Sequence, residues 1–552
     1  MATAIIHTAT TVAALTAVPK ASLVDGDQIQ VAGYVAAGDK EAVTYVWSAA
    51  STATANGGTV LAHDDGGTGR FLLRRDAISA KDFGTVGDST MGEDGTDNTA
   101  ALQAAINHLV DGAGGELVIE PGIYRITGTL NIGLAIHASY EFVTERTDEI
   151  GNDTIATNTN LTNVAANQAK SHIHLNFRQG AVLVADWEPT NDEPVIAYNL
   201  LDDALVGRGK ISNASIVTPA FISGGRYTIG DGETPVENNL IGVFCRSGCV
   251  ELNNTFTAGI GHGVVTLKPY WAQITDTRVW RAGHRCVDIC GGNAMSLRNS
   301  VAWYSAKGLV FDGSSSLVDG FHTEQVEEDV TIFAADSSEF KNFYLEDVLE
   351  TDGTDMYAVR LGTSAGAQRV ILSKFQGIRA GSVRPNKKAF LIEDTANCEF
   401  DKCREYSNGV DRADNYSNMY RDTDFSFSVP SAKWGVTLGG VTSFPNFGLP
   451  GSTYNVHGPY CFAASGIAPG SIASGGSYDA DISLPASLND AIAGAIASVT
   501  YTSGGSPLLV VSTRILYASP NVLRVTFANP TAGAIDPGSI NIMILVHVAM
   551  ST

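Results

Sequence analysis

The feature that most constrains this chain is a set of short segments between residues 250 and 425 that can be laid over one another. LNNTFTAGIGHGVV starts at Leu252, ITDTRVWRAGHRCVDI at Ile274, LRNSVAWYSAKGLVF at Leu297 and VDGFHTEQ at Val318. FKNFYLED follows at Phe340, LSKFQGIR at Leu372 and FDKCREYS at Phe400, with insertions such as TDGTDMYAV and SVRPNKKAF between the later ones. A period of roughly 20 to 50 residues means stacked supersecondary units, each leaning on its neighbours, rather than one closed sheet.

Composition agrees with a stack of strands. Charged residues make up 17% of the chain and glycine occurs 58 times, while long helical periodicity is nearly absent. This predicts an all-β protein with many tight turns. The net charge is −23. A nucleic acid would be repelled overall, so none is expected as a partner, whereas a neutral polymer, or an acidic one met by a local basic strip, remains compatible. No apolar run reaches the roughly 18 residues of a membrane helix, so no membrane insertion is expected. The N-terminal MATAIIHTATTVAALTAVPK lacks a basic leader and is read as folded protein made in a cytoplasm.

Seven cysteines do not form a disulfide framework of the kind found in small secreted domains. Cys245 and Cys249, then Cys286 and Cys290, have the form C-x3-C, with His262 and His284 between them. The spacing is poor for a structural zinc site. The sequence predicts small buried thiols, no metal and no cofactor.

Taken in order, residues 1–76 read as a small β module, with VDGDQIQVAGY, AVTYVWSA and GGTVLAHDDGGTGRFLLR as strands and Trp47 and Phe71 as its core. Residues 77–425 form the strand stack. At its entrance, Ala101, Leu102, Ala105, Ile106 and Leu109 share one helix face behind an N-cap at Asp97 or Asn98, and Gly112–Gly115 ends the helix. Such a helix would cover the open end of the stack, whose edges would otherwise pair with other chains. ELVIEPGIYRITGTLNI reads as two strands around a Pro-Gly turn. The polar stretches 140–170 and 222–240 read as loops framing a groove. Residues 426–552 read as a Gly/Pro/Ser-rich linker and a β-sandwich, with LNDAIAGAI as a short turn or helix within it.

KDFG at Lys81–Gly84, DGTDNTAALQAAI at Asp94–Ile106 and GGELVIEPGIY at Gly114–Tyr124 resemble the entrance to a right-handed parallel β-helix. The pattern is similar to the pectate-lyase-like group and especially to bacteriophage tailspikes. That resemblance implies a homotrimer in a virion tail, assembled in the host cytoplasm. Residues 1–76 would attach it to a tail or baseplate protein, and the C-terminal domain would serve trimerisation or carbohydrate binding. At the bacterial surface it would bind, and often cleave, a capsular or O-antigen polysaccharide. No catalytic position transfers with the motif.

Strand alternation supplies the candidate site. Counting along GFHTEQ, NFYLED, SVAWYS and RVWRAG turns Trp280, Tyr304, His322, Glu324, Tyr344 and Glu346 outward, and Phe321, Thr323, Phe343, Leu345 and Val279 inward. Val301 and Trp303 are expected on the opposite side from Tyr304. Aromatic faces pack on the C–H faces of pyranose rings, and carboxylates supply an acid and its partner. Glu324 and Glu346 are therefore the expected catalytic pair, with Asp319, Asp352 and Asp355 as substitutes. Trp280, Tyr304, His322, Tyr344 and Arg281 are expected to bind sugar. Stacked glutamates also suit a merely solvated exterior, and VEEDV at 326–330 reads as a turn. Arg278, Arg281, Arg285 and Arg298 either clamp acidic sugars or pair with Asp276 and Asp288. Glycosidic hydrolysis leads. A polysaccharide lyase, or a spike that binds without cutting, uses the same groove.

Overall fold

The computed structural model describes residues 6–133 (except 76, 91, 92 and 113), 172–199 (except 191), 208–222 and 238–346 (except 247, 248, 268 and 269). Beyond them it describes 356–362, 370–381, 387–392, 395–396, 398–405, 410–412, 415–416, 419–421, 460–467, 472–483, 492–501, 509–516, 522–529 and 540–548. Among the described residues no helix is long and apolar enough to cross a membrane.

The first five strands form one sheet in the order Ile6–Ala9, Gln28–Val31, Val43–Ser48, Arg70–Arg74, Val60–Ala62. The alternation of Val43–Ser48 buries Val43, Tyr45 and Trp47 on one side. Trp47 lies 4.7 Å from Phe71, ring centre to ring centre, as the sequence predicts for this core.

KDFG then makes a single 3-10 turn, Ala80–Phe83, closed by Gly84 at φ +87°. Any Cβ at Gly84 would meet the Tyr34 ring at 2.4 Å, so the glycine serves both the left-handed turn and the close approach of the N-terminal module. The helix Thr99–Asp111 buries Leu102, Ala105, Ile106 and Leu109 against the first rung of the stack. Asn98 occupies the N-cap position without capping: its side chain accepts from the Val86 amide at 2.7 Å and donates to the Val86 carbonyl, while Asp97 accepts from the Thr99 amide. ELVIEPGIYRITGTLNI supplies three strands, not two: Gly114–Ile119, Gly122–Ile126 and Leu130–Gly133. The extra corner falls at the small residues Thr127–Thr129, which alternation alone does not distinguish from strand.

Those three strands open the three faces of a parallel β-helix. The first face continues through His172–Phe177, Arg208–Ser212, Cys249–Asn253 and Gln273–Thr275. The second continues through Ala181–Ala185, Ser215–Val217, Phe256–Ala258 and Arg278–Trp280. The third continues through Glu193–Asn199, Leu240–Arg246, His262–Leu267 and Arg285–Asn293. Every step is a parallel pairing. Two long strands, Ser296–Ser314 and Leu317–Asp336, each run around all three faces, turning at left-handed corner residues such as Asn299 and Gly320, so VEEDV is strand rather than turn, with Val326 and Val330 buried.

The interior is a set of like-on-like columns. On the first face, Leu297, Val318, Phe340, Phe375 and Phe400 stack in register, and Phe340–Phe375 and Phe375–Phe400 lie at 5.1 and 4.8 Å with nearly parallel rings. Burial of each phenylalanine contributes about 1.5–3 kcal/mol. The copy written from Leu372 is three residues out of register, because Phe375 is the residue that pairs with Phe340; Leu372 is exposed.

The corner between the first and second faces explains the repeat. Asn213, Asn254, Asp276, Asn299, Gly320, Asn342, Gly377 and Lys402 succeed one another there, each with φ between 51° and 74°. Left-handed backbone costs most L-residues about 1–2 kcal/mol, and Asn, Asp and Gly are the residues that visit it routinely. Asn342→Ala is therefore expected to lose about 1–2 kcal/mol, aggravated by loss of the 2.8 Å bond from its amide to Asp319. Faster hydrogen exchange in Tyr344–Glu346, with distant rungs unchanged, would be the readout.

At the C-terminal end, two three-stranded antiparallel sheets form. One runs Tyr460–Ile467, Ile540–Val548, Ile492–Tyr501 and the other Ser477–Ser483, Val522–Ala528, Leu509–Leu516. Residues 492–496 of LNDAIAGAI are strand, paired with Ile540–Val548, because tertiary pairing overrides the local helical preference of alanine.

Candidate functional site on the outward second face

On the second face, register sets two outward columns. One runs Phe256, Arg278, Val301, His322, Tyr344, Arg379 and Arg404. The other runs Ala258, Trp280, Trp303, Glu324, Glu346 and Gly381. Between them Val279, Ala302, Thr323, Leu345 and Ala380 are buried in the interior. Glu324 and Glu346 are thus direct neighbours on adjacent rungs, with Cα atoms about 4.8 Å apart, and both side chains are exposed.

His322 and Tyr344 sit one alternation earlier on the same two rungs. Their rings meet edge-on at 5.3 Å, Tyr344 is 42% exposed, and His322 Nε2 is enclosed with no hydrogen-bond partner among the described residues. Above the glutamates, the Trp280 and Trp303 rings meet edge-on at 6.3 Å. Trp280 is also pressed edge-on by Phe221 at 5.6 Å, in an apolar patch with Val184, Val217 and Ala258. At the upper end the tryptophan column is therefore covered and apolar, with Arg278 exposed beside it, and the lower end is polar and exposed.

Tyr304 does not stand in the outward column. It occupies the corner toward the third face at φ +48°, stacked on Trp280 at 6.4 Å, and Trp303 takes the column position instead. Val301 and Trp303 point outward. Tyr304 is itself left-handed, as are Arg281 and Gln325 at the same corner, so it turns toward the third face instead of continuing the alternation. Arg281 lies in the same corner as Tyr304, at φ +57°, its amide bonded to the Trp303 carbonyl.

Asp319 lies on the first face, accepting from Asn342 at 2.8 Å and facing Lys341 at 3.9 Å, so it does not join the glutamate column. Asp352 and Asp355 lie outside the described residues. Arg285 is buried and held by Asp288 at 2.6 Å, whereas Arg278 and Arg298 are exposed on different faces. Trp303 and Arg379 were missed by the sequence reasoning. The aligned triplets Trp280-Arg281-Ala282, Trp303-Tyr304-Ser305 and Glu324-Gln325-Val326 would have found Trp303.

His262 and two of the thiols lie in the interior. Cys245 and Cys286 line the interior, where burial pushes each thiol up to about 12. Among the described residues, no group of three His, Cys, Asp or Glu is placed to hold a metal ion. His262 is fully buried, stacked on His284 at 4.8 Å and 3.7 Å from Asp192. Burial, then the nearby His284 and Arg285, hold it well below the usual imidazole range, so it is neutral and the Asp192 contact is not an ion pair. The unfolded chain, with an imidazole near 6.5, binds the proton first, so this group favours folding above that pH and its contribution is lost as pH falls. The loss is up to about 1.4 kcal/mol per pH unit. Thermal midpoints between pH 7 and pH 5 check this, and His262→Asn should flatten the slope.

No protein-family model matches the chain, and no curated protein matches it. Solved structures do. The tailspike of Acinetobacter phage vB_ApiP_P1 is 12% identical, with all of both chains covered and a TM-score of 0.48. The enzymatically active domain of tailspike protein 4 from bacteriophage CBA120 is 11% identical, covering 99% of this chain and 75% of that one, with a TM-score of 0.47. Tailspike gp49 of Acinetobacter baumannii bacteriophage Fri1, described as a capsular polysaccharide depolymerase, is 13% identical over 99% and 98% of the two chains, with a TM-score of 0.39. The chain's own strand pairing defines it as a parallel β-helix protein, all-β, with an N-terminal capping helix and added sheets at both ends.

Proposed function

We propose that this protein is a phage tailspike that depolymerises a bacterial surface polysaccharide, capsule or O-antigen. The observation that supports it best is the second-face register, which sets two exposed carboxylates on adjacent rungs beside His322 and Tyr344. One carboxyl protonates the glycosidic oxygen and the other acts as nucleophile or as base for water. Tyr344 and Trp303 give aromatic surfaces for pyranose rings, with His322 as a hydrogen-bonding tip. Residues 1–76 attach the protein to the virion tail, and residues 426–552 serve trimerisation or a further sugar contact. It acts as a homotrimer at the bacterial surface.

A lyase is the second reading, favoured by one observation: the His322 imidazole lies edge-on to the exposed Tyr344 phenol at 5.3 Å, and an imidazole beside a phenol can serve an elimination. Mass spectrometry of oligosaccharides released from capsular and O-antigen polysaccharides separates the two. Hydrolysis adds one water per cut, whereas elimination leaves an unsaturated end that absorbs in the near ultraviolet. Polysaccharides that all keep their length would overturn both in favour of a binding spike.

A further inference from the structure

We infer that the polysaccharide is anionic and that Arg278 and Arg379 hold its acidic groups at the two ends of the groove. The inference rests on the groove proposed above and adds the substrate class. Both side chains are exposed in the column that carries His322 and Tyr344, Arg278 two rungs above His322 and Arg379 one rung below Tyr344. They are four rungs apart, about 19 Å along the axis, a reach of several sugar residues.

Two contrasts make the column informative. On the outward first face, cations alternate with carboxylates: Lys210 meets Glu251 at 3.4 Å, and Lys341 meets Glu339 at 3.6 Å. The Arg278–Arg404 column contains no carboxylate among the described residues. Instead, Arg379 and Arg404 are direct cross-strand neighbours. The second contrast is global. A chain of net charge −23 repels a polyanion, so capture of an acidic polymer needs a local cationic strip, and this column supplies one beside the glutamate pair. Arginine suits the task because its planar fork meets carboxylate or phosphate with two parallel hydrogen bonds.

The test uses the full-length chain carrying Glu324→Gln and Glu346→Gln, so that binding is read without cleavage, on an array of acidic and neutral capsular and O-antigen glycans. Retention of acidic glycans alone is expected. Arg379→Met should weaken that binding about 10- to 100-fold, Arg278→Met should weaken it as well, and Arg379→Lys should restore part of it. Reducing the glycan carboxylates to alcohols should abolish binding if they are the ligand and spare it if phosphate is. Retention of a neutral glycan, retention of no acidic glycan, or full binding by both methionine variants overturns the inference. Acidic glycans that bind through these arginines, yet are never shortened by the unmutated protein, would sink the depolymerase proposal and leave the inference standing.

Discussion

Glu324→Gln and Glu346→Gln should each lower the rate of polysaccharide cleavage by about 100- to 10,000-fold, with little change in KM. Glutamine keeps the size and the outward position but can neither give nor take the proton. The two losses should differ in kind. A substrate with a better leaving group needs no protonation, so it should recover much of the rate in the variant lacking the acid and none in the other. Glu339→Gln is the control, since that carboxylate lies on the first face against Lys341. Full activity in both glutamate variants, each with unaltered thermal unfolding, would remove this pair from the chemistry. The anomeric configuration of the first product by NMR then decides the mechanism. A carboxyl separation of about 5 to 5.5 Å retains configuration, and one of about 6.5 to 9.5 Å leaves room for an inverting water. Adjacent rungs bring the Cα atoms near enough for the first, and the exposed side chains can splay to the second.

How far the sequence carries can be judged from particular residues. The stack was legible because the interior is a repeating column: Leu297, Val318 and Phe340 each recur one rung apart, and an Asn, Asp or Gly sits two residues after each. Conflict arose where rungs carry insertions. After Phe340 the next rung lies 35 residues on, at Phe375, and the apolar Leu372 imitates its start. The outward glutamates were legible because Gly320 and Asn342 stand at equivalent corners, so alternation counted from either gives the same phase. Tyr304 failed because it is itself a left-handed corner residue, equivalent to Arg281 and Gln325, so the outward position falls one residue earlier, at Trp303. Arg379 was invisible for a different reason: its column neighbour Tyr344 is 35 residues earlier, and only the pairing of the rungs brings them together.

The KDFG motif was recognised by resemblance, and its physical content is a buried ion cluster that yields the second large expected effect. Asp82 is fully buried and receives Lys40 at 2.9 Å, Arg75 at 3.1 Å and the Ser79 amide at 3.0 Å. Lys40 and Arg75 flank the end of the N-terminal sheet, whereas Asp82 belongs to the turn that opens the β-helix, so the cluster ties the two together. Breaking one partner of a buried pair costs about 3–5 kcal/mol, because the other charge is left uncompensated. Asp82→Ala strands the Lys40 ammonium, which is 3% exposed, and also removes the carboxylate that closes the capping box at Ser79. We expect hydrogen exchange across Val43–Ser48 and Arg70–Arg74 to rise steeply in this variant while the rungs from Cys249 onward keep their protection, because the phenylalanine column does not depend on the junction. Lys40→Met combined with Asp82→Leu should recover most of the loss, since well-packed apolar replacements of a buried ion pair are often neutral or stabilising. Uniform loosening of the whole β-helix in Asp82→Ala would show instead that the entrance turn is the foundation of the stack, and no change at all would show that Phe83, packed against Gly58, holds the junction alone.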